Sequence, residues 1–150
     1  MLSVVVPTCN EEENVSLFNL RLARALSGYD YEVIFVDDST DHTPQILESM
    51  SLKDSRIRCR PGERRGLGSA VVQGFKLAKG DFLAVLAADL QHPPELLPLM
   101  LKATENGADI VIPSRFLPGG RNWGLQRRLA SWFARVTGKV LLKSLRGISD

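Results

Sequence analysis

Acidic and amide side chains that could bind a metal or a nucleotide stand directly after three apolar runs of the sequence. They are Asn10 and Glu11, Asp37 and Asp38, and Asp89 and Gln91. Carboxylate and amide oxygens bind Mg²⁺, and acids at strand ends hydrogen-bond the ribose in nucleotide-binding α/β folds. Position 87, which would share a strand face with Asp89, is alanine. A metal site after the third run would therefore have only one acid in that strand.

Each of these motifs also has a purely structural explanation. Asp37 or Asp38 could cap the helix that follows, and the acids of "NEEEN" (10–14) suit a helix start. His92, which precedes a proline, is more typical of a structural residue than of a metal ligand. The turn "RRGLGSA" (64–70) could face an anion, but it lacks the Lys-Ser/Thr ending of a P-loop. Taken singly, none of the motifs identifies a site.

The elements that must position these residues alternate along the chain. Strands that alternate with helices predict a doubly wound, mostly parallel sheet with helices on both faces, in which ligands bind at the carboxyl ends of the strands. The first helix is predicted from apolar residues at helical spacing: Val15, Phe18, Leu22 and Leu26. Another helix begins at Thr43-Pro44, with Thr43 as the predicted N-cap. The predicted strands are 2–7, 31–38, 56–60, 81–88 (expected to be buried) and 109–114, and the predicted helices are 11–27, 43–51, 68–79 and 93–105.

The composition is that of one soluble globular domain of 150 residues, with 44% hydrophobic and 24% charged residues. Cys9 and Cys59 show no metal-binding or disulfide pattern, which suggests a reducing compartment. The sequence has neither a signal peptide nor an apolar stretch of the roughly 20 residues that a membrane span requires.

Charge divides the chain into a core, 1–113, and a basic segment, 114–150. The core holds 11 Lys and Arg against 16 Asp and Glu, a net charge of −5, and the segment holds 8 against one, a net charge of +7. The segment predicts a basic amphipathic helix that lies at a membrane surface or packs on the core or on another subunit. Its apolar stripe is Leu125, Leu129, Trp132, Phe133, Val136 and Val140. The chain then stops without a closing element, which predicts truncation at the C-terminus.

Six motifs together resemble, in order and spacing, the family 2 glycosyltransferases, and most of all the polyprenyl-phosphate (dolichol-phosphate) mannose synthases. The resemblance covers nearly the whole chain and implies a GT-A fold. It also implies inverting transfer of mannose from GDP-mannose to a polyprenyl phosphate, with Mg²⁺ or Mn²⁺, by a peripheral protein at the cytoplasmic face of a membrane. The motifs are "VVVPTCNEEENV", "VIFVDDSTDHT", "RGLGSAVVQGFKLAKGDF", "ADLQHPPE", "DIVIPSRFLPGG" and "NWGLQRRLAS".

The resemblance assigns roles by motif. The residues implied to line the nucleotide-sugar site are Pro7, Cys9 (where the family usually has Tyr), Glu11, Val36, Asp38, Ala88, Asp89 and Gln91. Asp89 and Gln91 would hold the metal, and Arg115, Arg127 and Ser131 would receive the acceptor phosphate. Asp89 and Arg115 are the implied catalytic residues. A phosphate nucleophile, with a second pKa of about 6, needs no strong general base, and a divalent cation would stabilise the leaving diphosphate.

The sequence departs from the family where the acid motif Asp-x-Asp reads Ala87-Ala88-Asp89. Ala87 is then an engineered knock-out, a natural variant with weakened metal use, or the mark of a non-catalytic relative. Three other functions are alternatives: transfer from a UDP-sugar, nucleotide-sugar or lipid-phosphate binding without catalysis, and nucleic-acid binding. The last has little support, because the basic segment has few aromatic residues for stacking and no recognised motif.

Overall fold

The structure is a computed structural model that describes residues 1–63 and 65–113. The chain divides into two compact units, Met1–Asp109 and Ile110–Asp150, and of the second unit only residues 110–113 are described. The predicted amphipathic helix therefore lies outside the described residues.

Strands and helices alternate along the first unit, as the sequence predicts. Helix α4 is preceded by a short 3-10 turn, Pro94–Leu96. The strands are β1 (Leu2–Thr8), β2 (Tyr31–Asp37), β3 (Ile57–Pro61) and β4 (Phe82–Val85), and the helices are α1 (Val15–Ala25), α2 (Thr43–Lys53), α3 (Leu67–Leu77) and α4 (Leu97–Glu105).

The four strands form one parallel sheet in the order β3-β2-β1-β4. In its register Leu2 lies between Tyr31 of β2 and Phe82 of β4. The chain moves outward from β1 to β2 and β3, then returns through α3 to the other side of β1. The strand order therefore reverses between β1 and β4, and in open α/β sheets ligands bind outside the carboxyl ends of the strands at this position.

The two faces of the sheet pack against different helices. Successive side chains of a strand point to opposite faces, so neighbouring strand residues contact different helices. Val4 and Phe35 lie in the larger core cluster with residues of α1, α2 and α4, and the Phe18 ring meets the Phe35 ring edge to face at 6.4 Å. Ile34 and Val36 pack on the opposite face against α3. The predicted doubly wound arrangement is confirmed. The four apolar residues that predicted the first helix are buried, three of them within α1 and Leu26 at its C-cap.

Helix α3 approaches the sheet closely at Gly74. A Cβ at this position would lie 3.0 Å from Val5 Cγ2 and closer still to Cγ1. Only glycine leaves room for the Val5 side chain here, so Gly74 sets the distance between α3 and the centre of the sheet.

Two strand predictions were wrong. The strand predicted as buried over 81–88 is only Phe82–Val85, and its Leu83 and Val85 side chains are 48% and 45% exposed. Among the described residues β4 pairs with β1 alone, so one of its edges has no neighbour there. Residues 109–113 of the strand predicted over 109–114 form no strand. A strand needs a hydrogen-bonding partner as well as an apolar pattern.

Candidate functional site

Four loops follow the carboxyl ends of the four parallel strands and meet at one edge of the sheet. Loop 1 (9–14) follows β1 and loop 2 (38–42) follows β2. Loop 3 (62–66, of which residue 64 is not described) follows β3, and loop 4 (86–93) follows β4. Every polar residue that the sequence singled out within the described part of the chain lies in or beside these loops.

Asp37, at the end of β2, connects loops 1 and 2. Its Oδ1 accepts hydrogen bonds from Thr8 Oγ1 at 2.7 Å and from Ser39 Oγ at 2.6 Å. The Ser39 hydroxyl in turn accepts a hydrogen bond from the Asn10 amide at 2.8 Å. Because Asp37 is buried, its role is to join the two strand ends.

Asn10 is the second connection between loops 1 and 2. Its φ of 58° places it in the left-handed region, which asparagine tolerates better than most residues. In this conformation its Oδ1 accepts hydrogen bonds from the Thr40 amide at 2.9 Å and from the Thr40 hydroxyl at 3.3 Å.

Asp41 accepts a hydrogen bond at the start of α2, a role for which the sequence suggests Asp37 or Asp38. Its Oδ1 accepts the Thr43 amide at 2.9 Å and its Oδ2 accepts the Glu12 amide at 3.3 Å. Burial tends to raise the pKa of Asp41, but hydrogen bonds from Thr43 and the Glu12 amide outweigh it and hold the pKa below the usual range. The predicted N-cap, Thr43, is instead the first helical residue, and the N-cap is His42.

Glu11 and Glu12 of loop 1 make further hydrogen bonds to loop 2 and the start of α2. Glu12 Oε2 accepts the His42 amide at 3.0 Å, and the Glu11 amide donates to Thr43 Oγ1 at 2.9 Å. Loops 1 and 2 thus form one hydrogen-bonded unit, around a shallow cavity of about 400 Å³. The residues that line it are Asn10, Glu12, Glu13, Asn14, Thr40 and Asp41.

Asp38 projects beside loop 3. Its amide donates to Thr8 O at 3.0 Å, and the amide of Gly62 donates to the preceding carbonyl, Asp37 O, at 2.8 Å. A Cβ at Gly62 would lie 2.6 Å from Asp38 Cγ. The Asp38 carboxylate therefore lies directly against the Gly62 backbone.

The remaining residues implied for the nucleotide lie at the same edge. Pro7 and Val36 are opposite each other in the β1–β2 register, and Cys9 is exposed. Glu11 Oε2 accepts a hydrogen bond from Asn14 Nδ2 at 2.8 Å. The Val36 side chain is fully buried beneath α3, so any contact of this residue with a ligand would come from its main chain.

Loop 4 carries Asp89 and Gln91 in a tight turn. Leu90, between them, has a left-handed φ of 59°, and Asp89 Oδ1 accepts the Gln91 amide at 3.0 Å. The chain is not extended between Asp89 and Gln91, because the backbone turns at Leu90. Ala88 is buried and Gln91 is exposed.

Loop 4 is anchored on α1 by its C-terminal flank. The Arg21 guanidinium donates two hydrogen bonds of 2.8 Å to the Glu95 carboxylate. Leu90 packs against the larger core cluster, and Pro94 is buried. These contacts hold the turn that carries Asp89 beside the end of β1.

The donor set fits a cation that is shared with a ligand. No group of three or more His, Cys, Asp or Glu that could hold a metal occurs in residues 1–63 and 65–113. Asp89 Oδ1 accepts a hydrogen bond from the backbone N–H of Gln91. The other Asp89 oxygen and the side-chain amide oxygen of the exposed Gln91 are left as possible metal ligands. Mg²⁺ often binds through one or two carboxylates together with substrate phosphates. Such a cation would arrive with a phosphate ligand, since these residues do not form a closed protein cage.

Three predicted acceptor residues, Arg115, Arg127 and Ser131, lie outside the described residues. In the part of the chain that the structure describes, no helix has the length and apolarity needed to cross a bilayer.

Sequence reasoning missed the residues that hold the loops together. These are Thr8, Ser39, Thr40, Asp41 and Gly62. The polar run "DDSTDHT" (37–43) was the available signal, because short hydroxyl and carboxylate side chains commonly bond to nearby backbone amides. Nothing in the sequence pairs position 62 with position 38, since that contact depends on the register of β2 and β3.

The chain matches the family model described as Glycosyl transferase family 2 over residues 3–148. It is 43% identical to a dolichol-phosphate mannosyltransferase of Pyrococcus furiosus, over 99% of this chain and 43% of that protein. It is 35% identical to the Saccharomyces cerevisiae dolichol-phosphate mannosyltransferase, over 93% of this chain and 55% of that protein. The chain thus spans about half the length of these relatives.

A solved structure supports the fold. The crystal structure of S. aureus TarS 1-349 aligns with a TM-score of 0.57 and 25% identity, over 78% of this chain and 40% of that one. The parallel sheet with helices on both faces is therefore the GT-A-like architecture that the sequence resemblance implies.

Proposed function

Because the chain belongs to glycosyl transferase family 2, we propose that it forms the donor side of an enzyme that transfers mannose from GDP-mannose to a polyprenyl (dolichyl) phosphate. The observation that carries the proposal is the meeting of loops 1, 2 and 4 where the strand order reverses. Cys9, Glu11 and Asp38 lie on one side of that position and Asp89 on the other. Two relatives named dolichol-phosphate mannosyltransferase supply the sugar and the acceptor class.

Loops 1 and 2 would bind the nucleoside. Their hydrogen bonds hold the backbone of loops 1 and 2 in place before any ligand arrives, and a site that is already ordered loses less conformational entropy on binding. The Asp38 carboxylate can accept hydrogen bonds from ribose hydroxyls or from base N–H groups. Exposed Cys9 stands where the family usually has tyrosine, so it would contact the nucleoside with a smaller side chain.

Asp89, with Gln91, would hold Mg²⁺ or Mn²⁺ together with the donor diphosphate. The cation, when bound, would neutralise negative charge that develops on the leaving diphosphate. The protein's own contribution is the turn at Leu90, which presents one free carboxylate oxygen at the edge of the sheet.

The acceptor would meet the donor from the basic segment 114–150. Arg115, Arg127 and Ser131 are proposed to bind the lipid phosphate, because guanidinium groups can hold phosphate with two parallel hydrogen bonds. We expect Arg115 to act with Asp89 as the catalytic pair by bringing two mutually repelling anions together. A net charge of +7 in this segment suits a peripheral position on the anionic cytoplasmic face of a membrane.

A product assay tests the proposal. The protein is incubated with Mn²⁺, a short polyprenyl phosphate and either GDP-mannose or UDP-glucose, and the lipid-linked sugar is measured. We expect mannosyl lipid from GDP-mannose. Product from UDP-glucose alone would show that the donor is a UDP-sugar instead of GDP-mannose. Binding of GDP without any product would favour a nucleotide-sugar-binding relative. Ala87, which removes one acid of the family motif, is the observation that favours this second candidate.

Thiol labelling tests the position of the nucleoside without requiring turnover. Burial, together with the charge of Asp37, raises the pKa of Cys59 to about 11, so only about one Cys59 thiol in a thousand is ionised at pH 8. Exposed Cys9 should therefore react first with iodoacetamide. We expect GDP with Mn²⁺ to slow the labelling of Cys9 and to leave the slow labelling of Cys59 unchanged. Equal rates at Cys9 with and without GDP would place the nucleoside elsewhere.

A further inference from the structure

We propose that Gly62 determines the affinity of the donor nucleotide by leaving room for the Asp38 carboxylate. Gly62 is in loop 3, outside the residues that any motif assigns to the site. The inference rests on the proposed role of Asp38 at the nucleoside and adds the residue that positions it.

Space, rather than backbone conformation, requires glycine at position 62. Gly28, Gly66 and Gly107 have left-handed φ values of 87°, 88° and 95°, where a side chain would be strained. Gly62 is outside that region, so alanine could adopt its backbone conformation. The Gly62 amide would also keep its hydrogen bond of 2.8 Å to Asp37 O in an alanine variant.

A Cβ at position 62 would collide with the Asp38 carboxylate. It would lie 2.6 Å from Asp38 Cγ and 3.0 Å from Oδ2, and closer still to Oδ1. Real Cβ atoms essentially never approach within 3.0 Å. The carboxylate, which is the end of a short rotatable side chain, must therefore leave its place.

Two other glycines, which pack against the sheet, would respond differently to the same change. At Gly74 the added Cβ would meet Val5 in the packed interior, and at Gly80 it would lie 2.7 Å from the main-chain atoms Met1 O and Ser3 N. Those substitutions must disturb packed core or backbone, which lowers stability. At Gly62 the displaced atoms are the end of a half-buried side chain at the proposed site, so binding should suffer more than folding.

The test compares Gly62→Ala, Asp38→Ala and the double variant with the unaltered chain. GDP affinity in Mn²⁺ is measured by calorimetry, and stability by urea unfolding. Losing a hydrogen bond to a charged group weakens binding roughly 10- to 100-fold, so we expect Asp38→Ala to do this and Gly62→Ala to reproduce most of it. The double variant should bind no more than about twofold more weakly than Asp38→Ala, because both changes remove the same contact. Gly74→Ala is the matched control, with lower stability and unchanged GDP affinity.

The possible outcomes separate the two proposals. If Asp38→Ala weakens GDP binding while Gly62→Ala does not, the positioning role of Gly62 is overturned and the proposed nucleotide site stands. If the two single effects multiply in the double variant, Gly62 acts through another contact and the inference is again overturned. If Asp38→Ala leaves affinity unchanged, or the unaltered chain binds no GDP, the assignment of Asp38 fails and the inference falls with it.

Discussion

The two ends of strand β2 each carry a buried acid, and their surroundings differ in the kind of donor that faces the carboxylate. At the amino end, Glu32 accepts hydrogen bonds from Ser3 Oγ at 2.7 Å, Arg58 Nη2 at 2.6 Å and the Lys79 amide at 2.7 Å. At the carboxyl end, Asp37 accepts two neutral hydroxyls. The amino end therefore neutralises its buried acid with a cation, whereas the buried acid of the carboxyl end accepts hydrogen bonds from uncharged hydroxyls.

This difference separates stability from binding within one small sheet. Gly80, in the turn between α3 and β4, lies so close to the start of β1 that no side chain fits. Arg58 also donates a hydrogen bond to Leu77 O, at the end of α3, at 2.5 Å. The amino end is thus closed by packing and charge. At the carboxyl end, loops 1 and 2 are ordered but the acids Asp38 and Asp89 remain partly exposed, which is the condition for meeting a cation or a nucleotide.

The largest effect is expected when the amino end loses its acid. Glu32→Ala leaves the partly buried Arg58 without its carboxylate and the Ser3 hydroxyl without its acceptor. Removing one partner of a buried ion pair costs about 3–5 kcal/mol, and the partial exposure of Arg58 lowers this to roughly 2–4 kcal/mol. Urea unfolding measures the loss. GDP affinity should not change, and a variant that folds normally but no longer binds GDP would contradict the separation of the two ends.

A smaller effect, a gain in metal affinity rather than a loss of stability, is expected when the carboxyl end gains an acid. Ala87→Asp restores the second carboxylate of the family motif near Asp89. We expect Mn²⁺ affinity in the presence of GDP to rise about tenfold, because a further oxygen ligand worth about 1.4 kcal/mol changes affinity by that factor. Metal titration measures the rise, and the product assay follows turnover. Ala87→Asn is the matched control of similar size without the charge. Unchanged metal dependence in Ala87→Asp would show that position 87 does not face the cation.

The smallest effect is expected in the dependence of the unfolding free energy on acidic pH. Burial tends to raise the pKa of Glu32, but the hydrogen bonds from Ser3 and the Lys79 amide and the charge of Arg58 outweigh it, so the pKa lies below its usual 4.5. A carboxyl with a lowered folded pKa stabilises the fold above its unfolded pKa and loses that contribution as pH falls. The difference in unfolding free energy between the unaltered chain and Glu32→Gln should therefore shrink below pH 4.5. A constant difference across that range would mean that the Glu32 charge does not stabilise the fold.

Local periodicity predicted the helices well and the site only partly. Val15, Phe18 and Leu22 recur at helical spacing and are all fully buried, because helix periodicity depends on near neighbours alone. Whether Phe82 to Ala88 forms a long buried strand depends on which strands flank it, and that information is not local. The same holds for Gly62 and Asp38, which meet only because β3 pairs with β2 in one register.

The turn at Leu90 shows a second limit of sequence reasoning. Asp89 and Gln91 would share one side in an extended chain. Nothing in "ADLQHPPE" predicts a leucine with positive φ between them. Residues held in sparsely populated backbone regions cluster at ligand sites, where the surrounding structure compensates for the strain. Here the compensation comes from the packing of Leu90 on the core and from Pro94 and Glu95, which no spacing rule connects to α1.

The position of β1 in the sheet has a consequence for synthesis. β1 leaves the ribosome before β2, β3 and β4, and it lies between β2 and β4. Its pairing with β2 spans about 30 residues, whereas Leu2 meets Phe82 only after 80 further residues have been made. At about 5–20 residues per second, one edge of this apolar strand stays uncovered for several seconds. The nascent chain is therefore most exposed to aggregation or to chaperone capture while the segment from α2 to β4 is being translated.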